Sequence, residues 1–310
     1  MAARRMSFDD LTQAVMQHYG EGRFDTTLQV LEQHAAEFPE EAVRITLWRM
    51  CLQSLCGRTD DALDTFRRGL DQGFWWHETS FRDSDLDTVR DLPEFKRLVA
   101  ISYEKYLQAR AEAKPERRIL VPDETTGPLP LLIALHGRNG NAETDLASWE
   151  VARQRGWLVL SPQSTQPLSP HSYGWDDPDQ GLVDIGFHYE EVVRDHAIDA
   201  QRVVAAGFSQ GSGMALISAL SGKIPACGFI GIGTWWGHLE GISALAARGS
   251  DVRAYFVTGE KDPDLDRSRQ IQGILRTNHI PVAEEVHANI GHEFSSDFAT
   301  SFEKAIEFIF

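Results

Sequence analysis

Cysteine is scarce in this chain: Cys51, Cys56 and Cys227 are the only three in 310 residues. So few, and odd in number, they argue against a disulfide framework and for a reducing compartment. Positive charge is also short, with 30 Lys and Arg against 46 Asp and Glu, a net charge of −16. Both parts of the chain share the deficit: residues 1–115 carry 15 basic and 20 acidic groups, and residues 116–310 carry 15 and 26. A field of that sign repels nucleic acid and anionic membrane surfaces, so neither is expected as a partner. No apolar run approaches the roughly 18 residues of a membrane span. Arg4-Arg5 is followed by Ser7-Phe8-Asp9-Asp10 instead of the apolar stretch of a secretory signal, so the expectation is a cytoplasmic protein.

Familiar cofactor patterns are missing too. Cys51 and Cys56 have no partner ligands for zinc. Asp262-x-Asp264-x-Asp266 opens like a calcium loop, but Arg267 and Gly273 stand where that loop needs glycine and glutamate. Gly231-x-Gly233 misses the dinucleotide fingerprint, because Trp236 occupies the third glycine position. Neither a metal nor a cofactor is expected.

What is present divides in two. With 42% hydrophobic residues, a chain of this length can bury two cores. In the first part, Gly22-Arg23-Phe24-Asp25-Thr26-Thr27-Leu28 recurs 35 positions later as Gly57-Arg58-Thr59-Asp60-Asp61-Ala62-Leu63. Each copy sits between helical stretches, predicting helix–turn–helix pairs over 8–19 with 24–37 and over 41–55 with 59–71. That period with a turn glycine is the signature of tetratricopeptide-like repeats, here in degenerate form. A longer helix over 93–113 leads to a polar joint at Lys114-Pro115-Glu116. The expected domains are therefore 1–114, all-helical, and 115–310. Two repeats are fewer than a free-standing solenoid needs. The helices are thus expected either to pack structurally, on the rest of the chain or on a second copy, or to dock a protein partner. Trp48, Trp75 and Trp76 read as core or interface filler.

The second part carries the chemistry. Arg202–Ala206 reads as a buried strand, Ser212–Leu220 as a small-residue helix, and Gly207-Phe208-Ser209-Gln210-Gly211 stands between them. A Gly-x-Ser-x-Gly turn between strand and helix is a nucleophile elbow. Its glycines are required because the turn leaves no room for a Cβ. Strand-like Val252–Thr258 runs into Gly259-Glu260-Lys261-Asp262-Pro263, and strand-like Val282–Ala288 runs into Ile290-Gly291-His292. The order Ser, Asp, His, each on a loop after a strand, suits an open α/β sheet whose catalysts gather at one edge. Ser209 needs a base to take its proton, His292 can take and return it, and Asp262 can fix the ring and balance its charge. Asp264 and Asp266 are the nearest substitutes for Asp262, and His287, inside a strand, is the weaker alternative to His292. Leu131–Leu135 leads into His136-Gly137-Arg138-Asn139-Gly140, a glycine-rich turn. The backbone N–H groups of Arg138 and Gln210 are the candidate oxyanion donors.

On Leu135-His136-Gly137, Gly207–Gly211, Gly259 through Asp262-Pro263, and Gly291-His292, the chain from about residue 117 onward resembles the phospholipase/carboxylesterase group of α/β-hydrolases, which includes acyl-protein thioesterases. The resemblance implies a mostly parallel central sheet behind the tetratricopeptide-like helices. It also carries the serine, aspartate and histidine roles onto Ser209, Asp262 and His292 and the oxyanion donors onto Arg138 and Gln210, but does not carry over a substrate; the expected reaction is hydrolysis of a small carboxylic ester, or a thioester, through an acyl-Ser209 intermediate without a cofactor. Ser84–Asp87 through Leu92–Phe95 likewise resembles the tail segment that follows such repeats in some bacterial enzymes. The chain departs from the group at Arg138-Asn139-Gly140, where Leu-Gly-Asp is usual, and at Ser212, where glycine is common. Tyr173 and Trp175, in the long proline-rich loop 161–181, and Trp235 and Trp236, after the strand-like run 229–233, are expected to shape a compact pocket for a short acyl or aromatic ester. A peptidase or amidase, or a helical scaffold carrying an inactive hydrolase, are the competing readings.

Overall fold

The computed structural model describes residues 6–124 and 127–310. Arg4-Arg5, read above against a signal segment, lies outside the described residues. The chain clusters into two compact units: Met1–Glu112 with Pro167–Pro170, and Ala113–Gln166 with His171–Phe310.

The first unit is helical: α1 (Phe8–Gly20), α2 (Phe24–His34), α3 (Ala42–Leu55), α4 (Thr59–Asp71), a short α5 (Asp87–Arg90) and α6 (Pro93–Glu112). The repeat seen in sequence is a repeated helix stop. Gly22 and Gly57 both sit at φ 70°. In each copy the glycine N–H donates back to a carbonyl three residues earlier, and the next residue's N–H donates five residues back: Gly22 to Tyr19 and Arg23 to His18, Gly57 to Ser54 and Arg58 to Gln53. That is a Schellman closure, which needs a left-handed residue and so favours glycine. The N-terminal start of α1 is closed by a capping box, Ser7 Oγ accepting from Asp10 N–H and the Asp10 carboxylate from Ser7 N–H. Leu11, Leu28, Leu31 and Ile45 form one apolar cluster; Phe66, Trp76, Phe81, Leu86 and Phe95 form another. Trp75 and Trp76 are buried, and Trp48 stacks on Phe8 at 5.9 Å.

The short strand β4 (Pro167–Ser169) falls in the first unit; the second is built on β1 (Arg117–Leu120), β2 (Leu129–Leu135), α7 (Glu150–Gln154), β3 (Leu158–Pro162), β5 (Ser172–Tyr173), α8 (Pro178–Asp195), β6 (Ile198–Phe208), α9 (Ser209–Ser221), β7 (Gly228–Ile232), α10 (Leu239–Ala246), β8 (Arg253–Gly259), α11 (Leu265–Thr277), β9 (Val282–His287) and α12 (Phe298–Ile309). The seven-stranded sheet has the order β1-β3-β2-β6-β7-β8-β9. All neighbours run parallel except β1, which pairs antiparallel with β3. Strand alternation divides the core: Leu131, Ile133, Val203 and Ala205 face one cluster, and Leu132, Ala134, Val204 and Ala206 face the other. The first cluster is covered by α8, α9, α10 and α11, the second by α7 and α12, whose Phe298 and Phe302 pack there. Register sets Leu135 beside Gly207, Phe208 beside Ile232, and Gly259 beside His287. The loops that leave β2, β6, β7, β8 and β9 therefore emerge along one edge, where open parallel sheets collect their ligands. Among the described residues no helix is long and apolar enough to cross a membrane.

Candidate active site

Ser209 is the hinge between β6 and α9. Phe208 is still extended (φ −112°, ψ 138°), whereas Ser209 has φ 53°, a left-handed conformation rare for a residue with a side chain. The glycines on either side let the chain make this turn. A Cβ on Gly207 would lie 2.6 Å from the Gly211 carbonyl carbon, and one on Gly211 would lie 2.5 Å from the Leu135 carbonyl oxygen. The Ser209 turn and the end of β2 are thus in backbone contact. Ser212, where the related group often has glycine, is fully buried and shares a 2.7 Å hydrogen bond with Thr234 in the turn after β7.

Asp262 is 5% exposed on the loop after β8. Its two carboxylate oxygens lie 3.0 and 2.9 Å from His292 Nδ1, and Oδ1 also accepts the Asp264 N–H at 2.8 Å. Two opposed influences act on the ring. Its burial disfavours charge, while the hydrogen bond and charge of Asp262, and then the charge of Asp264 at 3.9 Å, favour it; the balance lifts the His292 pKa above its ordinary value. The ring also lies 4.8 Å from that of Phe208, next to the serine. Among the described residues no side chain hydrogen-bonds to Ser209 Oγ, and apo sites often tighten that bond only with substrate present. His287 is engaged elsewhere: its Nε2 meets Ser301 Oγ at 3.0 Å and Glu285 at 3.6 Å. Asp266 is exposed. Asp262, Asp264 and His292 also form a group with ligand atoms within 4.8 Å of one another, the place where a metal ion would find donors.

Across from the serine, the Gly137–Gly140 turn closes with Gly140 N–H on Gly137 O (3.1 Å), and Asn139 holds φ 67°. A Cβ on Gly137 would lie 3.5 Å from that of Ser209, so the turn carrying Arg138 lies against the serine. Burial depresses the His136 pKa to about 4, only partly opposed by the hydrogen bond between its Nδ1 and the Gly137 carbonyl (2.8 Å). The ring is neutral, with Nδ1–H donating and Nε2 accepting the Ser164 N–H at 3.3 Å.

Three of these supports were not visible in sequence. Asp176 pairs with the Arg138 guanidinium (Nη2–Oδ2 3.0 Å) and accepts from Gln210 Nε2 at 2.7 Å. Asp145 accepts the Gly137 N–H at 3.4 Å, and burial lifts its pKa to about 6 against that hydrogen bond. His136 is the third. A useful sign for Asp176 was that its neighbour Asp177 takes the N-cap of α8, leaving the adjacent carboxylate without a local duty.

The aromatic expectations divide. Trp175 is completely buried in the core, its indole N–H donating to the His136 carbonyl at 2.9 Å, and Trp236 is 3% exposed in the same cluster. Both are supports behind the site, not a pocket wall: the polar end of Trp175 is committed to the oxyanion strand, and Trp236 packs under α9 against Gly213. Tyr173 and Trp235 remain half-buried. The Trp235 N–H donates to the Ser209 carbonyl at 3.3 Å, and the Tyr173 backbone pairs with Asn139 and Gly140.

Residues 7–110 match a family described as the A/B hydrolase-like, N-terminal domain. An uncharacterized protein from Bacillus cereus ATCC 10987 is 23% identical, with a TM-score of 0.56 over 98% of this chain and 99% of its own. Esterase PE8 is 16% identical, with a TM-score of 0.53 over 64% of this chain and all of its own. A dienelactone hydrolase-like promiscuous phosphotriesterase from metagenomic libraries is 12% identical, with a TM-score of 0.50 over 64% of this chain and 91% of its own. No curated protein matches the sequence. The chain thus has an α/β-hydrolase fold, preceded by a helical region that matches the A/B hydrolase-like N-terminal domain.

Proposed function

We propose that this protein is a serine hydrolase that cleaves a compact carboxylic ester, or thioester, through an acyl-Ser209 intermediate. In this reading residues 115–310 form the catalytic domain and residues 1–114 a separate helical one. The observation that carries it is the left-handed Ser209 between β6 and α9, set on the same sheet edge as the hydrogen-bonded Asp262–His292 pair. A non-glycine residue held at positive φ costs of order 1–3 kcal/mol and persists where function requires it.

The steps follow from the groups present. With Nδ1–H donated to Asp262, the His292 ring carries its lone pair on Nε2, the atom available to take the Ser209 proton. Ser209 Oγ attacks the acyl carbon, and Asp262, 5% exposed, stabilises the imidazolium that forms. The N–H groups of Arg138 and Gln210 receive the oxyanion, each worth roughly 3–4 kcal/mol in the transition state. His292 returns the proton to the leaving alcohol or thiol, and a water repeats the cycle in reverse to release the acid. Tyr173 and Trp235, both half-buried, are proposed to border the acyl group.

The test is covalent labelling of Ser209 by a fluorophosphonate, with hydrolysis measured on p-nitrophenyl esters of graded chain length, acyl-CoA and aminoacyl anilides. Labelling that disappears in Ser209→Ala, with turnover of short esters or thioesters, is expected. Absence of both labelling and turnover would leave a scaffold; preference for anilides would make it an amidase.

A further inference from the structure

We propose that Asp176 is a positioning residue for the oxyanion site, its carboxylate holding the turn that offers the Arg138 N–H at a fixed distance from the helix start that offers the Gln210 N–H. This rests on the acyl-serine reading above. The two donors come from chain segments far apart in sequence, one after β2 and one at the start of α9; the β2–β6 register and the backbone contact at Gly211 bring the segments together, and the outer part of the turn, beyond that contact, is tied to α9 by side chains.

Asp176 makes that tie. Its Oδ1 accepts from Arg138 Nε (3.3 Å) and Gln210 Nε2 (2.7 Å), and its Oδ2 accepts from Arg138 Nη2 (3.0 Å). The residues before it bind the same two segments. Tyr173 exchanges backbone hydrogen bonds with Asn139 and Gly140, at 2.9 and 2.8 Å. The Trp175 N–H donates to Gln210 Oε1 at 2.9 Å, and its indole N–H to the His136 carbonyl at 2.9 Å. Residues 173–176 therefore act as a splint, fastened to the oxyanion turn at both ends and to the elbow through Trp175 and Asp176. Gln210 is 4% exposed and both ends of its amide are engaged, which fixes the side chain and with it the peptide carrying the N–H beside Ser209.

The chemistry calls for a carboxylate. Only an acceptor with two oxygens can take the Arg138 fork and the Gln210 amide together. An asparagine would keep an acceptor for Gln210 but turn an NH₂ group towards the guanidinium. The Arg138 and Asp176 side chains are 31% and 34% exposed. An ion pair so open to water adds little stability, so its effect belongs in geometry.

The test uses the full chain and its Asp176→Ala and Asp176→Asn variants. Active serines are counted with a fluorophosphonate, and kcat and KM on a p-nitrophenyl ester are expressed per labelled serine. Loss of a whole oxyanion donor costs about 10²–10³ in kcat, so a donor displaced but still present should cost about 10- to 100-fold in Asp176→Ala. KM should stay within about threefold, the mark of an interaction made in the transition state. The acid limb of the pH profile should not move, because the Asp262–His292 pair is untouched, and Asp176→Asn should fall between wild type and Asp176→Ala. A kcat per labelled serine within about twofold of wild type in both variants overturns the proposal, as does a loss confined to the labelled fraction or the melting temperature. Should Asp176→Ala not fold, Asp176→Asn carries the same comparison. A wild-type chain that neither labels nor turns over ester removes the acyl-serine reading first, and this proposal with it.

Discussion

Gly211→Ala is the most direct probe of how the nucleophile turn is built. The added methyl would lie against the His136 carbonyl oxygen, 2.5 Å from the Leu135 oxygen and 2.7 Å from the His136 carbonyl carbon. Ordinary van der Waals contact begins near 3.4 Å, and every one of these neighbours is backbone of β2 or its extension. No side chain can swing away, so the start of α9 must retreat from β2 by most of an ångström. Overpacking of this sort costs about 1–3 kcal/mol, and the rigid surroundings place it at the upper end. Alanine recovers about 1 kcal/mol through its better helix propensity, leaving a net loss of about 2 kcal/mol. At roughly 2–4 °C per kcal/mol for a domain of this size, the melting temperature should fall by about 4–8 °C. The displacement also opens the gap between Ser209 and the oxyanion turn. A 1 Å misplacement can cost about 100-fold, so kcat/KM on a short ester should drop steeply. Gly273→Ala is the control: it lies inside α11 with nothing among the described residues within 4 Å of the new methyl, and should gain about 0.5–1 kcal/mol. Thermal unfolding and ester kinetics on both variants settle the matter. A Gly211→Ala protein that melts with wild type, or a Gly273→Ala protein that loses as much, refutes the steric reasoning.

Two further outcomes are expected. The base form of His292 must be neutral and its pKa is raised, so kcat/KM should fall as pH drops through a midpoint above the usual histidine value of about 6.5. Asp264→Asn removes one of the two charges holding it up, so the midpoint in a pH–rate profile should move down; an upward shift would contradict the assignment. His136 and His188 are buried with pKa values depressed to about 4, the latter by burial and then by the charge of Arg117, against Glu191. Between pH 6.5 and 4 the unfolded chain binds protons that these rings refuse. Stability is therefore full above the unfolded pKa and is lost as pH falls towards the folded one, by about 2–3 kcal/mol per ring. Among the described residues His188 has no hydrogen-bond partner on either nitrogen, so His188→Leu should flatten this slope by about one ring's share in urea titrations at pH 7 and 4.5; an unchanged slope would count against it.

Much of this architecture is legible locally. The inner strands β2, β7 and β8 announce themselves as apolar runs because both faces of a parallel sheet are covered there. The turns after them are marked by glycines at points of backbone contact, such as Gly207 and Gly211. The 35-residue recurrence encodes one physical device, the left-handed helix stop at Gly22 and Gly57. Other features depend on partners distant in sequence. The N-cap role of Asp177 marks Asp176 as a carboxylate with a distant partner, but not that it meets both Arg138 and Gln210. Trp175 and Trp236 follow strands towards the catalytic edge, yet turn inward. Between β7 and Trp235 the chain turns through Gly233 at φ 52°, and of the two adjacent indoles Trp236 enters the core. The antiparallel pairing of β1 is likewise settled by what lies beside it, since an edge strand reads the same in either direction.

The backbone at position 209 has a meaning beyond catalysis. A chain optimised only to fold would place glycine there, gaining of order 1 kcal/mol by avoiding the crowding of a Cβ against its own carbonyl. Every molecule carrying serine forgoes that gain. Under the acyl-serine proposal, drift that relaxed this turn would make the protein sturdier while silencing it, and the serine would persist through what its hydroxyl does.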